Sequence, residues 1–507
     1  MPRPALACGA SLAVGVALIP LAYLGIRAGE AGWDRITEEL LTERTGALIG
    51  RSLALAAVVT SACTVLGVAA AFLVTRTDLP ARRLFGVLAA LPLAIPSYVA
   101  AFAWVSAVAD FEGFWAAALV LALVSYPYVY LPVAAALVGV DPAQEEVALS
   151  LGRGRWRTTV GVTLRQVRPA VAAGALLVAL YVLSDFGAVS ILRVNVLTRA
   201  VFTLINLGFD RTGALVLATA LVALTILVLL AEQFSRRRAA RYARLGGGAP
   251  RPPTRLRLGR WRGPAVLGLA AVIGAALGVP AVSLVRWFGE GVSRPGSLGE
   301  LADAAGNSLW VSLLGTALTL LLALPVGLLS ARVPGLLAVA LDRLAYLSHA
   351  LPGLVIGLSL VFFGINVAYP LYQSVWLLAL AYAALFLPLA VAAVHGAAAQ
   401  APPVLEDVAR SLGRRRAYVL RTVTLPLAAP GIGAGAALVF LTCMKELPAT
   451  LLLRPTGMDT LATGLWKHTS VAAYAAAAPY AALLVLIAAV PTWWLSARTG
   501  VLTRTGG

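Results

Sequence analysis

Three ionisable residues sit inside stretches of chain that are otherwise apolar: Asp185 in Ser184-Asp185-Phe186-Gly187, and Lys445 with Glu446 in Lys445-Glu446-Leu447-Pro448. A charge facing lipid costs ~2.5–3.5 kcal/mol or more, so each of these must face a bundle interior, water or a counter-charge. Their chemistry is then either that of a pathway, with carboxylate oxygens meeting a passing cation or gating it, or that of a structural Lys445–Asp185 or Lys445–Glu446 pair. A second set lies in polar loops. Glu145-Glu146 and Glu406-Asp407 each precede a small and apolar stretch, a glycine (Gly152, Gly413) and a basic run. Nucleotide chemistry is excluded within the chain, because a phosphate-binding loop needs Gly-Lys-Ser/Thr. The only lysines, Lys445 and Lys467, follow Met444 and Trp466.

The two acidic loops are copies of one another. Residues 145–169 and 406–430 agree at 12 of 25 positions with a constant offset of 261, so the chain is a tandem duplication. The pattern predicts two short helices joined by a tight turn at Gly152 and Gly413, where glycine takes positive φ without a Cβ penalty. Acids near the first helix N-terminus complement its dipole, and Ala148 and Ala409 let another surface approach. Such a helix suits a partner's groove. The duplication extends further at an offset of 256, pairing Ser52 with Ser308 and Pro96 with Pro352. Five residues must therefore be inserted in the second copy between Pro388 and Glu406. Asp185 and Glu446 occupy equivalent points at offset 261. Asp185 lies 16 residues beyond Pro169, about 24 Å along a helix and in the outer part of any pathway.

The elements that position these residues are membrane helices. With 60% hydrophobic residues, 12% charged residues and a mean hydropathy of +0.88, the 507-residue chain is too apolar for water. Apolar runs able to cross ~30 Å of hydrocarbon fall near 5–27, 52–74, 85–107, 114–139, 169–192 and 213–233, and again near 264–286, 308–331, 344–365, 375–398, 430–453 and 472–496. Twelve spans are expected. The first carries a single early Arg3 and about 23 apolar residues, longer than the core of a cleavable signal, and is taken as retained. Cys8, Cys63 and Cys443 lie inside spans without metal or disulfide spacing and are assigned to packing.

A net charge of +18 in a membrane chain reports topology rather than nucleic-acid binding. Arg76, Arg82 and Arg83, the arginines of the first repeated loop and ten arginines between Arg236 and Arg262 mark cytoplasmic segments. The acidic loop with Glu30, Asp34, Glu38, Glu39 and Glu43, and the short loop with Asp110 and Glu112, mark the outer face. Both termini are then cytoplasmic, both repeated loops face the cytoplasm, and the halves are parallel repeats. The organisation expected is a first repeat over 1–233, a basic cytoplasmic linker over 234–263 and a second repeat over 264–507. The linker is either a solvated tether or a patch drawn to anionic lipid headgroups. The outermost span of each half is the least similar pair and is expected at the periphery.

The pattern Glu-Glu/Asp-Val-Ala-x-Ser-Leu-Gly with proline 17 residues beyond the glycine resembles the cytoplasmic coupling loop of ATP-binding-cassette importer permeases. The resemblance covers both halves apart from the first span of each and the linker. It implies an all-α membrane protein of type I importer permease architecture, a non-enzymatic transport subunit in the bacterial inner membrane without a cofactor. It implies two ATPase subunits, which dock on Glu145, Glu146, Ala148 and Gly152 and on Glu406, Asp407, Ala409 and Gly413, and an external solute-binding protein. Transport would follow alternating access.

The stretches Asp185-Phe186-Gly187-Ala188-Val189 and Met444 to Pro455, with Arg193 matching Arg454, resemble the ferric-iron branch of fused permeases. That resemblance makes Asp185, Lys445 and Glu446 pathway residues, with oxygen donors suited to a hard cation. Related permeases serve thiamine, aminophosphonates, sulfate or polyamines. Tyr98, Trp104, Tyr126, Tyr128 and Tyr130 could supply the aromatic faces that a thiamine or polyamine would require, but suit interfaces and packing as well. His349, His395 and His468 are scattered and assigned to packing or surface. Parallel six-span halves also describe ATP-independent secondary transporters, a class to which the repeated loop does not belong.

Overall fold

The computed structural model describes residues 3–498 except 141, 207, 209–210, 240–255, 291–297, 334 and 349–350. His349 and most of the basic linker lie outside the described residues. The described chain is helical, with one isolated bridge between Thr77 and Leu256. Eight helices are long and apolar enough to cross a membrane, from Pro4–Glu30 to Ala417–Met444. Two further spans are broken, Arg82–Ala94 with Ser97–Ala107 at 96° and Thr159–Gln166 with Arg168–Ser184 at 59°. With the shorter apolar helices Gly353–Asn366 and Tyr474–Ala489, these match one for one the twelve expected runs. The first break has a local cause. Pro92 and Pro96 each remove a backbone donor, and the residue before Pro96, Ile95, is extended at φ −84° and ψ 120°.

The helices fall into two compact units that interleave along the chain. One comprises Glu43–Ala200 and Ala223–Glu290; the other comprises Met1–Thr42, Val201–Val222 and Gly291–Leu495. Each unit thus contains the outermost span of the opposite repeat. In the first unit, helix Val279–Glu290 packs along Ser97–Ala107, with the Ser106 and Ser283 hydroxyls 2.7 Å apart. In the second, helix Arg3–Ala31 packs along Leu298–Arg332 and Gly353–Asn366, where the Tyr23 ring meets Phe363 edge-on at 6.2 Å. Over its apolar 18-residue stretch the exchanged Gly259–Gly289 span is 22% buried, against 78% for Phe114–Val138, whereas the exchanged Pro4–Glu30 span is 33% buried, no less than Glu43–Arg76 at 28%.

The centre of the first unit is a three-helix contact of Glu43–Arg76, Pro127–Val138 and Arg168–Ser184. Helices in lipid gain little from expelling water and associate through close backbone approach. A Cβ on Gly174 would stand 2.7 Å from Val129 Cα and 2.8 Å from the Tyr128 carbonyl, both immobile backbone atoms. Gly174→Leu is therefore expected to cost ~3 kcal/mol or more through overpacking. The measurement is the fraction of detergent-extracted chain eluting as a single folded species, which should fall severalfold.

In the second unit the corresponding core is Leu298–Arg332, Val375–Gln400 and Leu425–Met444. The five-residue insertion appears here as helix. Pro127–Val138 ends at a position equivalent to 394, whereas Val375–Gln400 runs six residues further before the next helix begins at Pro403.

Candidate functional site: paired loops and capped breaks

Each repeated loop folds as the sequence requires. Helix Pro142–Ser150 ends in a turn with Gly152 at φ 79°, and helix Pro403–Ser411 ends with Gly413 at the same angle. The closing hydrogen bonds coincide: Gly152 N–H to Leu149 O and Arg153 N–H to Ala148 O, against Gly413 N–H to Arg410 O and Arg414 N–H to Ala409 O. These are the two bonds of a Schellman cap, which a left-handed residue closes and which glycine adopts at least cost. A one-turn helix and a π-turn follow in both copies, Thr159–Thr163 and Leu420–Thr424.

The acidic pairs are divided between two faces, because successive helical residues point about 100° apart. Glu146 and Asp407 are exposed, whereas Glu145 is 7% exposed and Glu406 is half-buried. Ala148 is buried and Ala409 half-buried, so both stand nearer the protein than the outward face. That outward face carries large apolar side chains at helical spacing: Val147 and Leu151 in one copy, Val404, Val408 and Leu412 in the other, with Leu151 and Leu412 76% and 74% exposed. Exposed apolar residues rimmed by acids are the composition of a protein-docking surface.

The inward acids meet partners of which the sequence pattern marks only Arg76, and that one as a sign of topology. Arg76, the last residue of helix Glu43–Arg76, pairs through Nη2 with Glu145 Oε1, and the Thr163 hydroxyl donates to the same oxygen at 2.5 Å. Arg332, the last residue of helix Leu298–Arg332, reaches Glu406 Oε1 at 3.0 Å, and Thr424 donates to that oxygen at 3.0 Å. A signal was available, since Arg76 and Arg332 share the 256 offset and Thr163 and Thr424 share the 261 offset. In the first unit the linker's downstream end also joins here. Leu256 N–H donates to Arg76 O at 2.8 Å, Asp78 N–H to Leu256 O at 3.1 Å, and Leu258 N–H to Asp78 Oδ1 at 2.8 Å.

Asp185 and Glu446 terminate their spans and begin short helices. Asp185 Oδ1 accepts the N–H groups of Ala188 at 3.0 Å and Val189 at 3.2 Å, at the start of Gly187–Ile191, and Ser97 donates to Oδ2. Glu446 accepts the N–H groups of Ala449 and Thr450, both at 3.0 Å, and the Thr450 hydroxyl at 2.8 Å, at the start of Pro448–Leu453. The two sites compensate in size. Position 353, equivalent to Ser97, is glycine, and a Cβ there would stand 2.7 Å from Glu446 Oε1; the longer acid occupies the space that the missing side chain leaves. Thr450 in turn supplies the hydroxyl that Ser97 gives Asp185.

Lys445 is half-buried in the turn before Glu446. Ser52 and Ser308 accept the N–H of Leu197 at 3.0 Å and of Leu461 at 2.7 Å, tying the next helix of each unit to its long helix.

Among the described residues, no three His, Cys, Asp or Glu side chains converge as metal ligands. His395 Nδ1 lies 2.8 Å from the Ser330 hydroxyl, and His468 packs against the Tyr480 ring at 5.3 Å. Cys63 and Cys443 are buried and Cys8 is exposed, all as free thiols.

The family model for the binding-protein-dependent transport system inner membrane component matches this chain twice, over residues 63–241 and 323–497. The chain belongs to that family. Each match takes in one loop with its glycine turn and one capped break, and neither includes the outermost span of its repeat. The permease is 38% identical over 480 residues to the Fe(3+)-transport system permease protein FbpB 2 of Haemophilus influenzae, covering 94% of this chain and 95% of that one. It is 29% identical over 247 residues to the sulfate transport system permease protein CysT of Escherichia coli, with 44% of this chain covering 89% of the relative. The molybdenum transport system permease protein ModB of E. coli is 29% identical over 201 residues, 34% of this chain and 88% of the relative. Nearly whole relatives thus match less than half of this permease, as a duplicated unit requires. It is a fused, all-α, multi-pass inner-membrane transport subunit.

Proposed function

We propose that this permease carries ferric iron, delivered by an external binding protein, into the cytoplasm by ATP-driven alternating access. The observation that carries the iron assignment is the similarity to FbpB 2 over nearly the full length of both chains. The ATPase is a separate polypeptide, and two copies serve one permease because one chain presents two docking loops. Both loops and both termini lie on the cytoplasmic side, in keeping with the arginine distribution. Residues 1–233 and 264–507 are the two repeats, and 234–263 is their cytoplasmic linker.

On this reading the docking surface is the outward face of each short helix, with Glu146 and Asp407 at its rim and Gly152 and Gly413 fixing its exit. Ala148 and Ala409 keep each helix close to its own unit, while Glu145 and Glu406 secure it from behind. Asp185, Lys445 and Glu446 belong to the wall of the translocation pathway, where the two carboxylates hold short helices in place. Closure of the ATPases on ATP draws the two loops together and opens the outer side; hydrolysis resets it. Thiamine, aminophosphonate and polyamine remain the competing solutes.

The test is uptake of ⁵⁵Fe(III) in cells with and without this chain, competed by thiamine and by aminophosphonate. Uptake that depends on the chain and is indifferent to both competitors is expected. Competition by either solute at micromolar concentration, or iron uptake unchanged without the chain, rejects the assignment.

A further inference from the structure

Of the two acids in each docking loop, only one faces outward. Glu145 is turned to Arg76 and Thr163, all three less than 9% exposed, and Glu406 to Arg332 and Thr424. The three partners come from separate segments: the end of a membrane-crossing helix, the docking helix, and the π-turn that starts the next span. All three types recur in both copies, although fewer than half of the positions in the repeated loop are identical. The two arginines hold equivalent positions at the ends of helices of 34 and 35 residues, each about 50 Å long.

We propose that Arg76–Glu145–Thr163 and Arg332–Glu406–Thr424 are transmission struts, in which an inward-facing carboxylate, buried in the first copy and half-buried in the second, ties the ATPase-docking helix to the end of a membrane-crossing helix so that movement of one displaces the other. The inference rests on the ATP-driven reading above and assigns Glu145, Glu406 and their partners as positioning residues.

Three observations carry it. A buried ion pair is a poor way to gain stability, because desolvating both charges offsets most of their attraction, and an apolar set of the same volume serves stability as well or better. What the pair supplies is direction: a guanidinium and a carboxylate fix angle as well as distance, which apolar contacts do not. The docking helices also have little else to hold them. They are nine residues each, their large apolar side chains point outward, and a single small residue, Ala148 or Ala409, faces in. Finally, the carboxylate oxygen that receives the arginine also receives the threonine of the following span, so a shift of the docking helix reaches both membrane elements through one atom. The second strut has a further tie, since Arg332 Nη2 donates to Ala401 O at 2.9 Å, in the turn just before its docking helix.

The test uses the whole permease reconstituted in proteoliposomes with its ATPase and iron-loaded binding protein, and reads ferric iron imported per ATP hydrolysed. Glu145→Gln with Glu406→Gln keeps side-chain shape and leaves the outward acids in place. The expected result is ATPase copurification within about twofold of wild type and at least a tenfold fall in iron per ATP. A spin label at Arg83, shortly beyond Arg76, should change its spectrum on ATP and vanadate in the wild-type background and not in the variant. An unchanged ratio, a preserved label response, or loss of the ATPase from the variant overturns the strut.

Thr163→Val with Thr424→Val removes one donor per carboxylate and spares the ion pairs. If the glutamine variant does not accumulate, this second variant decides, and an unaltered iron-to-ATP ratio in it rejects the proposal. A wild-type permease that imports no iron rejects the functional reading instead, and the label response still tests the strut.

Discussion

Reversing both outward acids, Glu146→Lys together with Asp407→Lys, abolishes solute uptake, by at least a hundredfold, while the chain still accumulates in the membrane at its normal level. Both positions are exposed, so neither substitution enters a core, and surface changes of this kind alter folding by about 0.5 kcal/mol or less. At a docking surface the balance is different. A like charge facing a partner built for the opposite sign costs several kcal/mol, and every 1.4 kcal/mol is a factor of ten in affinity. Both loops must engage, so the two losses compound. The measurement pairs ⁵⁵Fe uptake with copurification of the ATPase. Wild-type uptake in the double variant would remove the docking role from this face.

The second large effect is at the capped breaks. Asp185→Leu strands the N–H groups of Ala188 and Val189 and the Ser97 hydroxyl in an apolar interior. Each buried donor left without a partner costs about 1–3 kcal/mol, enough in sum to exhaust the stability of an ordinary domain. Asp185→Asn retains an acceptor oxygen for the helix start, loses the charge, and replaces Oδ2 with an amide N–H that the Ser97 hydroxyl can accept by rotating. The expected result is no folded permease from the leucine variant, and folded permease with uptake within about threefold of wild type from the asparagine variant. Thermal unfolding in detergent and iron uptake together check it. An asparagine variant that folds normally but transports nothing would show that the carboxylate charge itself serves the passing cation.

The twelve spans and the duplication were legible because lipid demands long apolar runs and because copies keep their register. The glycine turns were legible for the same reason a Schellman cap is local: six consecutive residues contain both of its bonds. The 96° break at Pro96 shows in the sequence only as two prolines inside one apolar run near 85–107, since apolar length alone does not register a change of direction. Which acid of Glu145-Glu146 faces inward was not legible in the loop. A nine-residue helix has no preferred face until a partner supplies one, and Arg76 is 69 residues away in the chain. Asp185 and Glu446 were recognised as equivalent, but their neighbours were not, because Ser97 and Gly353 matter through the space they fill or leave.

The interleaved units carry a consequence for how the protein is made. Residues 1–233 synthesised alone would emerge with a first helix whose packing surface lies on Leu298–Arg332, and with a Ser97–Ala107 segment still waiting for Val279–Glu290. Neither half-gene product is then a self-sufficient body. Ribosomal synthesis as one polypeptide guarantees that the two reciprocal guests arrive in equal number and at the same place in the bilayer, and a cell that produced the halves from separate messages would have to solve that pairing by collision.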